Sequence, residues 1–478
     1  METPEPAREL GHTDARLRAD AAENRARILD AAAALRGDRR LTMLELAAAA
    51  GVGRSTLYRH FSSRRAVLQA LDQRTSEQAA APPTKTVTGL PFRAPGRLGR
   101  TAGLPLEVTH VLDEVPPHLI ADQLVAEARR AGGVPIALYV VDIDGSRLIR
   151  LAGTDDFPAE LEAPPALGPE IVPEGLPQYY SRLREVLPGC TIEPLWLRGR
   201  VTGILLCIGT PLDDLADIAR QGAAALELAN DYTDVIEATR RRKPPTPAAE
   251  IQQNLFPPRI ARITGAQLAG GLLPTYEVGG DWFDFVENRD GAWLAIGDAS
   301  GNGPTAAGLS AAALGALRAA RRSGHDLVDA LSWMDDTVRD HKSDLVVTAL
   351  VGRWRAATGL FTYVTCGHPH AYLAEPSGEL RLLDGRIHEP LGQAPGDRAF
   401  TATDQRLMTG QRLILVTAGI TERRTSSGVF GADGLEAALV ELETPTAAAT
   451  AMAILNAVTK CWHEPLEDDG TVVVLSVD

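Results

Sequence analysis

The sequence predicts a multidomain chain of α plus α/β class: a small helical module followed by two mixed α/β modules. Three observations lead there. Residues 21–72 carry apolar residues at helical spacing, interrupted by a glycine turn. Residues 104–240 alternate helical runs with strand pairs around turn dipeptides. Residues 250–478 place acidic residues at the ends of apolar strands. A hydrophobic share of 45% with 23% charged residues suits globular domains, and a chain of 478 residues has room for about three of them.

Residues 1–20 read as a polar tail, and residues 21–75 as the helical module. From Asn24 to Leu35, Ile28, Leu29, Ala32 and Leu35 fall on one face. Thr42 can N-cap a second helix, with Glu45 three residues on. Gly51 breaks that helix, and Arg54 to Phe61 forms a third, giving a helix-turn-helix. The third helix carries Arg54, Ser55, Thr56, Tyr58, Arg59 and His60. Ser63 then caps a fourth helix, with Arg64 and Arg65 in its first turn. Such side chains donate to phosphates and to base edges in a major groove. The alternative is a three-helix bundle used for docking or dimerisation, with Tyr58 and Phe61 in its core and the arginines on a solvated face.

The strings ILDAAAAL and LTMLELAAAAGVGRSTLYRHFSSRRAVLQAL resemble the DNA-binding domain of the TetR family. The resemblance implies operator DNA binding as a homodimer, with the Gly51–Phe61 segment entering the groove. Proteins of that family continue into an all-helical ligand and dimer domain. In this chain residues 76–103, rich in Pro, Gly, Thr and Arg, read instead as a linker, and mixed α/β sequence follows.

In the middle module, 104–240, residues 118–132 read as an amphipathic helix. Strand-like runs at 135–143 and 147–152 flank Asp144-Gly145, a hairpin signal. A second pair, Glu193 to Leu197 and Val201 to Ile208, flanks Arg198-Gly199. This order resembles a GAF-type sensor domain, which implies a central antiparallel sheet flanked by helices and a small-molecule or protein signal. A structural spacer is the alternative. Leu215, Ile218, Gly222, Ala225, Ala229, Tyr232 and Ile236 recur at spacings of three and four, the pattern of a heptad seam. It predicts a coiled-coil helix that could pair two protomers. The competing reading packs the seam on its own domain.

Residues 241–249 form a basic, proline-broken hinge, and 246–478 a C-terminal module. Four segments carry its chemistry. The first runs from Glu277 through two glycines to Asp281 and Asp284; the second is an apolar strand ending at Asp298, followed by Ala299 and a Gly-rich turn. The third contains Thr417-Ala418-Gly419 and Glu422, and the fourth is Asp468-Asp469-Gly470-Thr471 entering an apolar strand. Carboxylates at strand ends converge on one rim of a sheet and repel unless cations neutralise them. Aspartates with no His or Cys nearby favour Mn²⁺ or Mg²⁺ over Zn²⁺. Two such ions about 4 Å apart can bridge a water, lower its pKa and aim it at a phosphoester.

These segments resemble PPM-type protein phosphatases of the SpoIIE/RsbU branch. The resemblance runs from EIQQNLFPP at 250–258 through VGGDWFDF, IGDASGNG, TCGHPHAYL, LILVTAGITE and FGADGL to EDDGTVVVLSV. It implies an α/β/β/α sandwich that removes phosphate from phosphoserine or phosphothreonine, commonly on antagonists of anti-sigma factors. It further implies two metal ions, with Asp281 on one, Asp298 bridging both with help from the Ala299 carbonyl, and Asp468 on the other. The helix containing Glu250, Gln253 and Leu255 matches the regulatory switch helix of the branch. Two positions depart from the pattern. The usual T-D-G reads Thr417-Ala418-Gly419, so one metal loses a carboxylate, a gap that Asp469, Glu422 or water can fill; the usual G-H-G reads Gly301-Asn302-Gly303. The rival to catalysis is therefore a pseudophosphatase that keeps the fold for binding, within a DNA-binding transcription regulator. His368 and His370, in the G-H-P-H segment, are expected to be structural.

A net charge of -14 argues against nucleic-acid binding over the whole surface, though not against one small basic module. The four cysteines, Cys190, Cys207, Cys366 and Cys461, form no C-x-x-C pair and read as reduced thiols. The start of the chain lacks an apolar signal core, and no apolar run reaches about 18 residues, the length a spanning helix needs. The expectation is a cytoplasmic protein with no membrane partner.

Overall fold

The computed structural model describes residues 24–29, 31–32, 46–47, 49–52, 56–57, 60–61, 66–67 and 70, and residues 114–478 except 275–277, 342–343, 369–370, 394–397, 427, 441, 443 and 462–465. The chain divides into two compact units, Met1–Ala102 and Gly103–Asp478.

In the first unit the described residues are mainly helical. Ile28, Leu29, Ala32, Leu46, Ala47, Ala50, Leu57, Phe61 and Val67 form one small core. Ala50 and Val52 close the helix around 46–50 through N–H bonds to the Leu46 and Ala47 carbonyls. Gly51 sits at φ 62°, the left-handed region that glycine enters without penalty. Leu57 and Phe61 are buried while Thr56 and His60 are half-buried. Of the expected DNA-contacting residues, Arg54, Ser55, Tyr58, Arg59 and Arg64 lie outside the described residues, as do the tail and the linker.

The second unit opens with α1 (Ile120–Gly132), then β1 (Ile136–Val141), β2 (Arg147–Ala152), β3 (Glu160–Glu162), β4 (Ala166–Leu167) and β5 (Glu170–Ile171). After α2 (Leu176–Val186) come β6 (Cys190–Leu197), β7 (Arg200–Ile208), α3 (Ala216–Asn230) and α4 (Val235–Arg240). The strands form one antiparallel sheet ordered β3-β2-β1-β7-β5-β4, with β6 on β7. Strand alternation sorts the side chains. Ile136, Leu138, Leu205 and Cys207 meet α1 and α3 on one face, and Ala137, Tyr139, Val141, Ile204 and Leu206 meet α2 on the other.

The heptad seam is corrected by this packing. Leu215, Gly222, Ala225, Ala229 and Ile236 are buried in the module's own core, against Leu124 and Ala128 of α1. The helix also ends at Asn230 rather than running on, which leaves Tyr232 exposed in a turn. Small residues at these positions serve close approach of α3 to α1, and spacing alone does not say which surface a seam will meet.

The remaining elements build a four-layer sandwich. They are α5 (Pro247–Leu255), β8 (Ile260–Ile263), β9 (Ala266–Leu273), β10 (Asp281–Asn288), β11 (Gly291–Ala299), α6 (Gly303–Arg322), α7 (Leu327–Asp340), β12 (Val347–Arg355) and β13 (Leu360–Cys366). There follow β14 (Tyr372–Ala374), β15 (Leu380–Leu382), β16 (Ile387–His388), β17 (Thr403–Arg406), β18 (Arg412–Val416) and α8 (Ala418–Thr421). The chain closes with β19 (Arg424–Thr425), β20 (Gly428–Val429), α9 (Gly431–Val440), α10 (Ala447–Lys460) and β21 (Gly470–Val477). One sheet runs β10-β11-β12-β13-β16, with β17 on β13, and the other runs β15-β14-β18-β21-β9-β8. Phe283, Leu294 and Ile296 meet Leu268, Leu415 and Val473 between the sheets. On the outer faces, Trp293, Ala295 and Val351 pack under α6 and α7, and Ile414, Val472 and Val474 under α9 and α10. That last layer also takes in Leu167 and Val172 from the preceding module. Among the described residues, no helix is long and apolar enough to cross a membrane.

Candidate active site

The acids meet where β10 begins and β11 ends. Antiparallel pairing puts Asp281 directly opposite Asp298, and β21 delivers Asp468 and Asp469 to the same rim through its contacts with β9 and β10. The approach depends on glycine. A methyl group at Gly280 would land on the carbonyl oxygen and amide of Ala299, well inside van der Waals contact. The Ala299 N–H instead donates to the Gly280 carbonyl at 3.2 Å, and the Ser310 hydroxyl of α6 donates to the same oxygen at 2.5 Å.

Asp281 is buried, and two hydroxyls serve one of its oxygens. Thr417 Oγ1 and Thr471 Oγ1 donate to Oδ2 at 2.8 and 2.6 Å. The Thr471 N–H donates in turn to Thr417 Oγ1 at 2.9 Å. Asp469 is fully enclosed, and its Oδ2 accepts from Gly279 N at 3.0 Å and from Gln252 Nε2 at 2.8 Å. The same Gln252 amide donates to the Asp281 backbone carbonyl at 3.1 Å. Asp468 Oδ1 accepts the Asp469 N–H at 2.8 Å.

Crowded carboxylates hold their protons. Burial, then the charges of Asp298 and Asp469, push Asp281 well above the usual carboxylate range. Burial, then Asp468 and Asp469, push Asp298 up to about 7. Burial raises Asp468, with Asp469 and Glu422 adding to the shift.

The expected residues are therefore only partly assembled. Asp281, Asp298 and Asp468 share one rim, with the backbone of Ala299 beside them. Ala418 begins α8 at the expected place and brings no ligand. The donor set is oxygen-only and overcrowded with negative charge, which fits a hard divalent cation. Among the described residues, no three acid, His or Cys side chains converge as a ready-made cage. Mg²⁺-type sites need only one or two carboxylates, with carbonyls and waters completing the shell. The residues present thus fit a cation held by paired aspartates and the Ala299 carbonyl.

The switch-helix residues each have a partner. The Glu250 Oε1 and Oε2 accept from Arg241 Nη2 at 3.0 and 2.9 Å, the Gln253 Oε1 accepts from Arg259 at 3.1 Å, and the Leu255 carbonyl accepts from Arg318 at 2.6 Å. Sequence reasoning missed Gln252, the helix residue that reaches the acids, and gave no role to Thr417 and Thr471. The Thr before Ala418 and the Thr after Asp469 are visible in the motifs, but which of two neighbouring glutamines faces inward is not. His368 is buried beyond the end of β13, where burial pushes its pKa down to about 3. His370 lies outside the described residues.

Residues 288–478 match the family described as stage II sporulation protein E (SpoIIE), and residues 28–71 match bacterial regulatory proteins of the tetR family. The chain is 24% identical over 233 residues to phosphoserine phosphatase RsbU of Bacillus subtilis (strain 168), covering 48% of this chain and 68% of that protein. A solved structure of the RsbU and RsbW domains of Rv1364c from Mycobacterium tuberculosis shares 24% identity over 45% of this chain, with a TM-score of 0.39; the match spans 60% of that chain. The SiaA-PP2C domain of Pseudomonas aeruginosa shares 18% identity, covering 44% of this chain and 86% of its own, also with a TM-score of 0.39. The C-terminal module thus has the PPM-type α/β phosphatase fold, and the N-terminal module is of the TetR helical type.

Proposed function

We propose that the chain is a Mn²⁺- or Mg²⁺-dependent serine/threonine protein phosphatase that acts on a phosphorylated regulator, such as an antagonist of an anti-sigma factor. The middle module is its GAF-like sensor, and the N-terminal module binds operator DNA in a homodimer. The observation that carries the reading is the rim where Asp281 faces Asp298 and Asp468 stands beside them, in a fold whose relative RsbU is a phosphoserine phosphatase.

In this reading Asp281, Asp298, Asp468 and the Ala299 carbonyl hold two ions, as the family resemblance implies. When bound, the ions supply a water of lowered pKa and neutralise the phosphoryl oxygens. The chain's own residues do the positioning. Thr417 and Thr471 fix Asp281 through one oxygen and leave the other for the ion. Gly279 and Gln252 fix Asp469, so its charge adds to the field without swinging. Gly280 lets the strand carrying Asp281 approach Ala299.

A second reading rests on one specific residue. Ala418 removes a carboxylate, so the module could bind a phosphoprotein without hydrolysing it, as a pseudophosphatase inside a transcription regulator. Phosphate release from a phosphoserine peptide by the full-length chain, with Mn²⁺ and then with EDTA, separates the two. Release that EDTA abolishes supports the enzyme, and silence in saturating Mn²⁺ supports the binding protein.

A further inference from the structure

We propose that Glu170, in the middle module, is a positioning residue for the acidic site of the C-terminal module, acting through α5. The proposal rests on the phosphatase reading only where turnover is measured.

Glu170 is 3% exposed. Its Oε1 accepts the Arg259 N–H at 2.9 Å and its Oε2 accepts the Ile260 N–H at 2.9 Å, so the carboxylate holds the entry into β8 through two backbone donors. Arg200, also buried, donates to Oε1 at 2.6 Å and supplies the countercharge. A buried carboxylate with three donors is fixed in place, and removing it leaves the Arg259 and Ile260 N–H groups without that acceptor and Arg200 paired with Glu227 alone.

What it holds is the exit of α5. Only Phe256, Pro257 and Pro258 separate that helix from Arg259. The Arg259 guanidinium stacks 3.8 Å from the Phe256 ring centroid and donates to Gln253. The next residue back, Gln252, donates to the Asp281 carbonyl and to Asp469 Oδ2. A continuous run of packed and bonded groups therefore leads from Arg200 and Glu170 through Arg259 and α5 to the acids. Leu167, four residues before Ile171 on the same hairpin, is buried in the phosphatase core, so the hairpin moves with the sandwich rather than beside it.

The test is the full-length chain carrying E170Q, with E170D alongside. Glutamine keeps the volume but faces two N–H donors with a single oxygen and drops the Arg200 pair. The expected result in a folded E170Q is Mn²⁺ binding, read by electron paramagnetic resonance of the free ion, weakened about tenfold. Amide exchange of residues 247–255 and of Gly279 quickens by about tenfold as well. Turnover, where the wild type has it, falls in kcat rather than rising in KM, and E170D recovers part of each effect. A folded E170Q with unchanged Mn²⁺ affinity and unchanged exchange overturns the proposal. If E170Q does not fold, Q253L cuts the same route one step nearer the site, and the same two outcomes decide. A wild type that hydrolyses nothing removes the phosphatase reading alone, because exchange at 247–255 and Gly279 still reads the relay.

Discussion

Asp281 and Asp298 stand opposite each other on neighbouring strands, and beyond burial the charge of Asp298 raises the cost of charging Asp281. That pairing is poor for stability and useful for holding a cation. Asp298→Asn should therefore act in opposite directions with and without metal. In EDTA the variant should melt higher by about 2–4 °C, since one like charge is gone. With Mn²⁺ it should lose most of the ion-induced rise in Tm. Calorimetry in both buffers checks the crossing of the two effects.

Gly280→Ala should be severe. The added methyl would occupy the space of the Ala299 backbone, so β10 and β11 must part at the rim. A cost of about 3 kcal/mol in denaturant unfolding is expected, with loss of Mn²⁺ binding even in the folded fraction. A stable variant with normal Mn²⁺ affinity would show that the close approach is not required.

His368 gives a pH signature. Burial pushes its folded pKa to about 3, against an ordinary value of 6.5. Above the ordinary value both states are neutral and the residue contributes no slope. As pH falls below it, the unfolded chain takes up a proton that the folded chain refuses until near 3. Stability is therefore lost progressively between those two values. In EDTA, the melting temperature of wild type should drop more steeply below pH 6.5 than that of His368→Gln. Parallel curves would contradict the buried, neutral imidazole.

The N-terminal module should bind DNA through charge. Gel shifts by the full chain should weaken steeply with salt, and Arg54→Ala with Arg59→Ala should reduce the salt slope by about one unit each. A shift indifferent to salt would favour a docking bundle instead.

Much of this is legible in the sequence. The acids could be placed because Asp281 and Asp298 sit at the ends of apolar strands, and strand ends converge. The four-layer sandwich was implied by the resemblance to PPM-type phosphatases, and the structure builds it from strands whose alternate residues, such as Trp293 and Leu294, face different layers. The seam from Leu215 to Ile236 was ambiguous because spacing reports a stripe and not its partner; it lies against α1. Gln252 and Gln253 could not be told apart without the helix's rotation. Glu170 was invisible because its partners, Arg259 and Ile260, lie 89 and 90 residues away in sequence.

The most direct measurement is phosphoserine turnover by the full-length chain in saturating Mn²⁺, run beside Asp298→Asn and Ala418→Asp. The full chain is required because Leu167, Val172 and Glu170 complete the phosphatase module. A working enzyme with a thinned metal site predicts measurable turnover in wild type, none in Asp298→Asn, and a rise of about tenfold in Ala418→Asp as ion affinity recovers. A silent wild type that only Ala418→Asp brings to life would contradict catalysis by the natural chain and leave phosphoprotein binding as its role.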